Sequence, residues 1–120
     1  MALSVSGYSS SALAYKVVHE SNASDTANLD VTGSSGRLYS IDIDQQTATA
    51  CYLKMKLTAG TVTVGTTEPD LLIELPASGK AKFDIPGGLA FSQLSFWVTD
   101  AAATSDTGDP GTVLITFLCT

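Results

Sequence analysis

Alternation of apolar and polar residues with a period of two constrains this chain more than any other feature, because side chains on a strand point to opposite faces in turn. Tyr39, Ile41 and Ile43 alternate with Ser40, Asp42 and Asp44. Cys51, Leu53, Met55 and Leu57 alternate with Tyr52, Lys54, Lys56 and Thr58. Ala81, Phe83 and Ile85 alternate with Lys80, Lys82 and Asp84, and Leu94, Phe96 and Val98 with Ser95, Trp97 and Thr99. Each run predicts a half-buried strand with one face on a core. Helical periodicity is almost absent. Two further runs, Leu71–Leu75 and Val113–Leu118, are apolar on both faces and are expected to be covered on both.

Turn chemistry separates these strands. Gly33-Ser34-Ser35-Gly36 divides a short strand around Leu29–Val31 from one starting near Arg37. Glu68-Pro69-Asp70 precedes the Leu71 run, and Pro76-Ala77-Ser78-Gly79 joins it to the Lys80 strand at hairpin length. Pro86-Gly87-Gly88 reads as a tight turn after that strand, and Asp106–Gly111 introduces the last one. Many short strands at this spacing predict an all-β fold, a single antiparallel β-sandwich of jelly-roll type. At 120 residues the chain has the size of one domain. Residues 1–12, Ser-rich and weakly patterned, read as an extended N-terminal arm. Residues 13–120 form the sandwich, starting with a strand from Leu13 to His19.

Only 15% of the residues are charged, where a solvated monomer carries about a quarter. Part of the surface is therefore expected to be covered by partners. Twelve acidic residues against six basic ones give a net charge of −6. Six scattered cations cannot neutralise a run of phosphates, so nucleic acid is not an expected partner, and anionic membranes are disfavoured for the same reason. The N-terminal residues carry no basic, apolar leader pattern, which predicts synthesis in the cytoplasm. Cys51 and Cys119 lack metal-ligand spacing and fall on the apolar side of their strands, so both are expected as buried free thiols.

Chemistry-bearing motifs are scarce. His19, the single histidine, has no nucleophile elbow or triad pattern near it. Asp42 and Asp44 share one strand face, and Asp100, Asp106 and Asp109 lie in one polar segment, but neither group has the spacing of a calcium loop. Gly87-Gly88 lacks the lysine and helix of a phosphate loop. No catalytic residue, metal or cofactor is expected, and the chain does not read as an enzyme. Alternation turns Tyr52 and Trp97 outward on their strands, and puts Leu114 and Leu118 on the face opposite Val113, Ile115 and Phe117. These four residues are the expected subunit contact, since outward aromatics and aliphatics on a sheet anchor interfaces.

From Tyr52 to the C-terminus the chain resembles a family of short proteins encoded by tailed bacteriophages and prophages. The residues that carry the resemblance are Tyr52-Leu53-Lys54, Thr63-Val64-Gly65-Thr66-Thr67-Glu68-Pro69, Leu71–Gly79, Ile85-Pro86-Gly87-Gly88-Leu89-Ala90-Phe91, Leu94–Thr99, Asp106-Thr107 and the closing apolar strand. Val62 stands where the family tends to have Pro, and Gln93 where it tends to have Gly. The resemblance implies a structural virion protein, a decoration or cement module on the capsid exterior that binds the major capsid protein. It also implies a homo-oligomer, with a trimer favoured because threefold junctions recur on icosahedral shells. The alternatives are a neck, tail or fibre module of the virion, or a carbohydrate-binding, host-adhesion module.

Overall fold

The computed structural model of the chain describes residues 2–7 and 15–120. Among these residues there is no helix. The strands are β1 (Leu3–Gly7), β2 (Lys16–Glu20), β3 (Gly36–Gln45), β4 (Cys51–Lys56), β5 (Leu71–Leu75), β6 (Gly79–Phe91), β7 (Ser95–Thr99) and β8 (Val113–Cys119). They form two antiparallel sheets, one of five strands in the order β1-β2-β8-β3-β6 and one of three in the order β5-β4-β7.

The alternation explains how the sheets meet. Along β8, Val113, Ile115, Phe117 and Cys119 are buried, while Leu114, Thr116 and Leu118 between them are half-buried on the other side. Ile41 and Ile43 of β3 join that inward set, and Cys51, Leu53 and Met55 of β4 with Phe96 and Val98 of β7 supply the facing half of the core. Phe96 and Phe117 meet edge to face across it, with ring centroids 4.9 Å apart. Each of these side chains gains about 1.5–3 kcal/mol from leaving water, which is what holds two otherwise separate sheets together.

Several expectations need correction. Pro76–Gly79 does not close a hairpin. Leu75 ends β5 in one sheet and Gly79 begins β6 in the other, so the turn is an arch between layers. Ser78 sits there at φ 49°, and its N–H donates to the Thr47 carbonyl (2.9 Å) in the neighbouring arch from β3 to β4. The buried Gln45 ties both arches, its Nε2 donating to the carbonyls of Thr49 (2.9 Å) and Leu75 (3.2 Å).

Pro86-Gly87-Gly88 does not follow β6 but lies inside it. Leu38 pairs with Leu89 and Ser40 with Asp84, so Tyr39 alone stands against residues 85–88. This large bulge lets Leu38 and Ile41 both face the core and turns Tyr39, expected inward, to the outside, where it meets Tyr15 edge to face. Gly87 (φ 80°) and Gly88 (φ 77°) make the bulge possible, and Arg37 Nη1 donates to both carbonyls at 3.3 Å.

The expected strand at Leu29–Val31 is reduced to one bridge, Asn28 to Phe96. The segment around it still runs along the open edge of β7, with Asn28 N–H donating to Phe96 (2.8 Å), Val31 N–H to Leu94 (2.8 Å) and Val98 N–H to the Ser24 carbonyl (2.8 Å). Within the stretch read as an arm, Leu3–Gly7 is β1, paired to β2. The strand expected from Leu13 begins at Lys16, and residues 8–14 lie outside the described ones.

Candidate contact surfaces

The outer face of the five-stranded sheet carries Leu114, Thr116 and Leu118 of β8, flanked in register by Val17 and His19 of β2 and by Ser40, Asp42 and Asp44 of β3. Leu114 and Leu118 are half-buried, shielded in part by these neighbours. His19 Nδ1 and Thr116 Oγ1 are 2.9 Å apart, so the histidine is tied to its sheet partner. Lys80 of β6 lies 4.0 Å from Asp44 at the margin.

The outer face of the three-stranded sheet differs from the expectation. Tyr52, Lys54 and Lys56 of β4 stand opposite Thr99, Trp97 and Ser95 of β7. Trp97 is only 1% exposed and Lys54 is fully buried. Trp97 is therefore not an open anchor for a neighbouring subunit. The loop from β7 to β8 folds back over this face, and Lys54 Nζ donates to the Ala103 carbonyl at 2.7 Å. Thr99 Oγ1 donates to Ala101 (2.8 Å), and Asp106 accepts from the N–H groups of Ala101 (3.1 Å) and Gly108 (3.3 Å). Gly65 of the β4–β5 loop approaches Thr107 so closely that a side chain there would collide with it. Alternation assigned Trp97 to the correct face but could not show that a loop supplies a second layer over it. Tyr52, on the same face, is half-buried.

Electrostatics in this layer are local. Burial pushes the Lys54 ammonium below the usual lysine value, and the charges of Asp106 and Asp100 resist that. A hydrogen bond to Asp106, followed by desolvation and the repulsion of the same carboxylate, raises Asp100. For Asp106, desolvation acts upward, but the hydrogen bonds from Asp100, Ala101 and Gly108 outweigh it and the group moves down. The cluster holds a loop in place. Among the described residues no three His, Cys, Asp or Glu side chains group as a metal ion would require.

Other chemistry-bearing groups are equally occupied. Cys51 and Cys119 are buried and unbridged. Desolvation pushes Cys51 up to about 11 and also raises Cys119, which Lys16 partly offsets. Glu20 is fully buried, accepting from the N–H groups of Ala2 (2.7 Å) and Asn22 (3.2 Å) and from Asn28 Nδ2 (3.1 Å). A small cleft of about 30 Å³ opens between Leu75–Pro76 and Gly79–Ala81, far below the ~300–1,000 Å³ of small-molecule sites.

What alternation alone missed is the mismatch between the sheets. The five-stranded sheet is wider than its partner, and the inward faces of its two outermost strands overhang. Phe83 of β6 pairs with the fully buried Ile41 and so faces inward, yet it is 37% exposed. At the other margin Leu3 and Val5 of β1 pair with the buried Glu20 and Val18 but are themselves exposed. Leu72 of β5, opposite Lys54 on the outer face, is 45% exposed, although its run was expected to be covered on both sides. Neither the protein-family models nor the curated proteins contain a match to this chain.

Proposed function

We propose that this chain is a structural protein of a tailed-bacteriophage virion, a capsid decoration or cement protein that binds the major capsid protein on the outside of the shell. The observation that carries this reading is the pairing of an acidic, antiparallel sandwich-like fold with apolar side chains left at its margins and half-buried on its outer faces, while its buried titratable side chains, Glu20 and Lys54, serve internal contacts. Such a surface suits protein–protein association. The acidic balance, −6 overall, suits the outside of a shell rather than its DNA-facing interior.

Two further points support it. The segments that carry the phage resemblance coincide with the features that set the fold: Pro76–Gly79 is the arch between sheets, Pro86-Gly87-Gly88 the bulge, and Ser95–Thr99 is β7. Counting residues 24–31 as a fourth member beside β7, the sheets read β2-β8-β3-β6 and (24–31)-β7-β4-β5. We read this order as a jelly roll, an architecture used in viral capsid proteins and lectins, with β1 added at one edge.

The chain assembles as a homo-oligomer, a trimer by the phage resemblance, with Leu114, Leu118 and Tyr52 at or near the contact. Burial of Trp97 removes the strongest candidate for stacking on a sugar ring, which weakens the carbohydrate-binding alternative. A neck, tail or fibre position is the remaining one. The test is to compare phage particles with and without the protein for resistance to heat and osmotic shock, and to count its copies per particle. Hundreds of copies and weakened particles in its absence are expected. A handful of copies would place it at the neck or tail, and unchanged robustness would remove the cement role. Sedimentation of Leu114→Asp beside the wild type tests the proposed subunit contact.

A further inference from the structure

We infer that β6 is a docking edge for a second copy of this chain, joined antiparallel about a two-fold axis that passes beside Phe83. This goes beyond the virion reading and does not depend on it. Because β6 closes one end of the five-stranded sheet, alternate N–H and C=O groups of its straight stretch, Gly79 to Asp84, point away from β3 and lack a strand partner among the described residues. The stretch has two chemically distinct faces. Lys80, Lys82 and Asp84 pair with Asp44, Asp42 and Ser40 and face outward, while Ala81 and Phe83 pair with Ile43 and Ile41 and face inward.

Charges on a sheet edge commonly blunt it against pairing. Here their order is self-complementary in one register. With Phe83 on the two-fold axis, Lys82 stands directly opposite the second copy's Asp84, and Asp84 opposite the second copy's Lys82. Ala81 then faces the second copy's Ile85, and the two Phe83 rings meet across the axis. Sliding by one step of the pleat in one direction sets Lys82 against Lys82 between two Lys80–Asp84 pairs, and in the other sets Asp84 against Asp84. Only with Phe83 on the axis do opposite charges pair with no like charges directly opposite, which are destabilising. Lys82 and Asp84 are free to make these contacts, because within one chain they approach only to 3.9 Å with side chains 61% and 72% exposed. The same register covers Phe83, whose exposure follows from the overhang of β6 beyond the narrower sheet. A self-complementary patch is what a closed two-fold contact requires. It uses the sheet edge, and so is separate from the contact proposed for Leu114 and Leu118 on the sheet face.

Cysteine scanning in the full chain reads the register directly. Residues directly opposite in an antiparallel pair have Cα atoms about 4.5–5.5 Å apart, within the ~4.4–6.8 Å that a disulfide spans. Under mild oxidation Phe83→Cys is expected to give a covalent dimer, and Ala81→Cys, on the same face but off the axis, is not. Equal cross-linking at both positions, or at neither, overturns the inference. Charge reversal is an independent arm that keeps Phe83. By sedimentation, Lys82→Asp and Asp84→Lys are each expected to weaken association roughly tenfold, and the double variant is expected to restore it. Failure of the double variant to recover, or a wild type that stays monomeric at hundreds of micromolar, would sink the edge contact. Failure of the double variant would leave the whole virion reading standing, a monomeric wild type would remove the homo-oligomer from it but not the capsid binding, and particles insensitive to loss of the protein would leave the edge contact standing.

Discussion

Gly87 and Gly88 are neighbours at nearly the same φ, 80° and 77°, but they occupy different surroundings. A Cβ on Gly87 would meet open space, whereas one on Gly88 would lie 2.8 Å from Arg37 Cβ and 2.9 Å from a ring carbon of Tyr39. Gly87→Ala is therefore expected to cost only the left-handed backbone penalty, about 1 kcal/mol. Gly88→Ala adds a collision and should cost about 2–4 kcal/mol, with urea unfolding of the two variants as the measurement. Equal losses would mean that the bulge, not the close approach, demands glycine. A second residue-scale expectation concerns Cys51. Its folded value of about 11 lies above the ~8.5 of an unfolded thiol. A raised value contributes stability in full below the unfolded one and loses it as pH rises toward the folded one. Stability should therefore decline between about pH 8.5 and 11, and Cys51→Ala should flatten that decline. At pH 8 a disulfide reagent should find neither thiol in the native chain and both after unfolding.

At the scale of elements, the loop from β7 to β8 is held by Lys54 from below and by the Asp100–Asp106 pair from within. The two carboxyls pull in opposite senses with pH. Asp100, raised, contributes below the ordinary aspartate value and loses that contribution as pH climbs through its folded value. Asp106, lowered, contributes above the ordinary value and loses it as pH falls through its own. Carboxyl NMR should therefore find Asp100 titrating above and Asp106 below the usual range, and Asp106→Asn should return Asp100 toward the ordinary value. Lys54→Ala should shift Trp97 emission to the red, since the strap loses its anchor at Ala103 and the indole gains solvent, with a stability loss of about 2 kcal/mol. Unshifted emission would mean that the loop holds its place without the lysine. How far such elements can be read from sequence depends on what period-two alternation encodes. It encodes a face, and the residues that β4, β7 and β8 send into the core follow it. It does not encode what lies over that face, which is why Trp97 read as exposed. The composition Pro-Ala-Ser-Gly suits an arch as well as a hairpin, since both need a reversal over a few residues. Pro86-Gly87-Gly88 reads as a strand end because the signature of a bulge with positive φ is the same as that of a turn.

At the scale of the whole molecule, the all-β, antiparallel class was legible because it rests on the sum of many local patterns, whereas the relative width of the two sheets depends on which strands pair at long range. Ile41 and Phe83 look alike as members of alternating strands, yet Ile41 is fully buried while Phe83 is left beyond the reach of the opposing sheet. The exposed margins predict a melting temperature that rises with protein concentration, because a contact made only by the folded chain stabilises it by mass action. A tenfold change in concentration should move the transition by a few degrees in the wild type and by less in Lys82→Asp. A transition independent of concentration in both would leave each chain thermodynamically on its own.

The unequal sheets have a further consequence for tolerance to mutation. A sandwich with matched sheets confines the damage of a core substitution to one molecule, since its hydrophobic interior is complete. Here the interior ends in a partial row of side chains, so the last residues of one molecule's core become the first of its neighbour's when edges join. A substitution at Ile41, wholly buried beside Phe83, would then be felt twice: within its own fold, and through the tilt of the Phe83 ring in the fit between copies. A packing defect in one copy would then reach its partner across the two-fold contact, and a change at a position that no solvent touches would be read in the strength of the pairing.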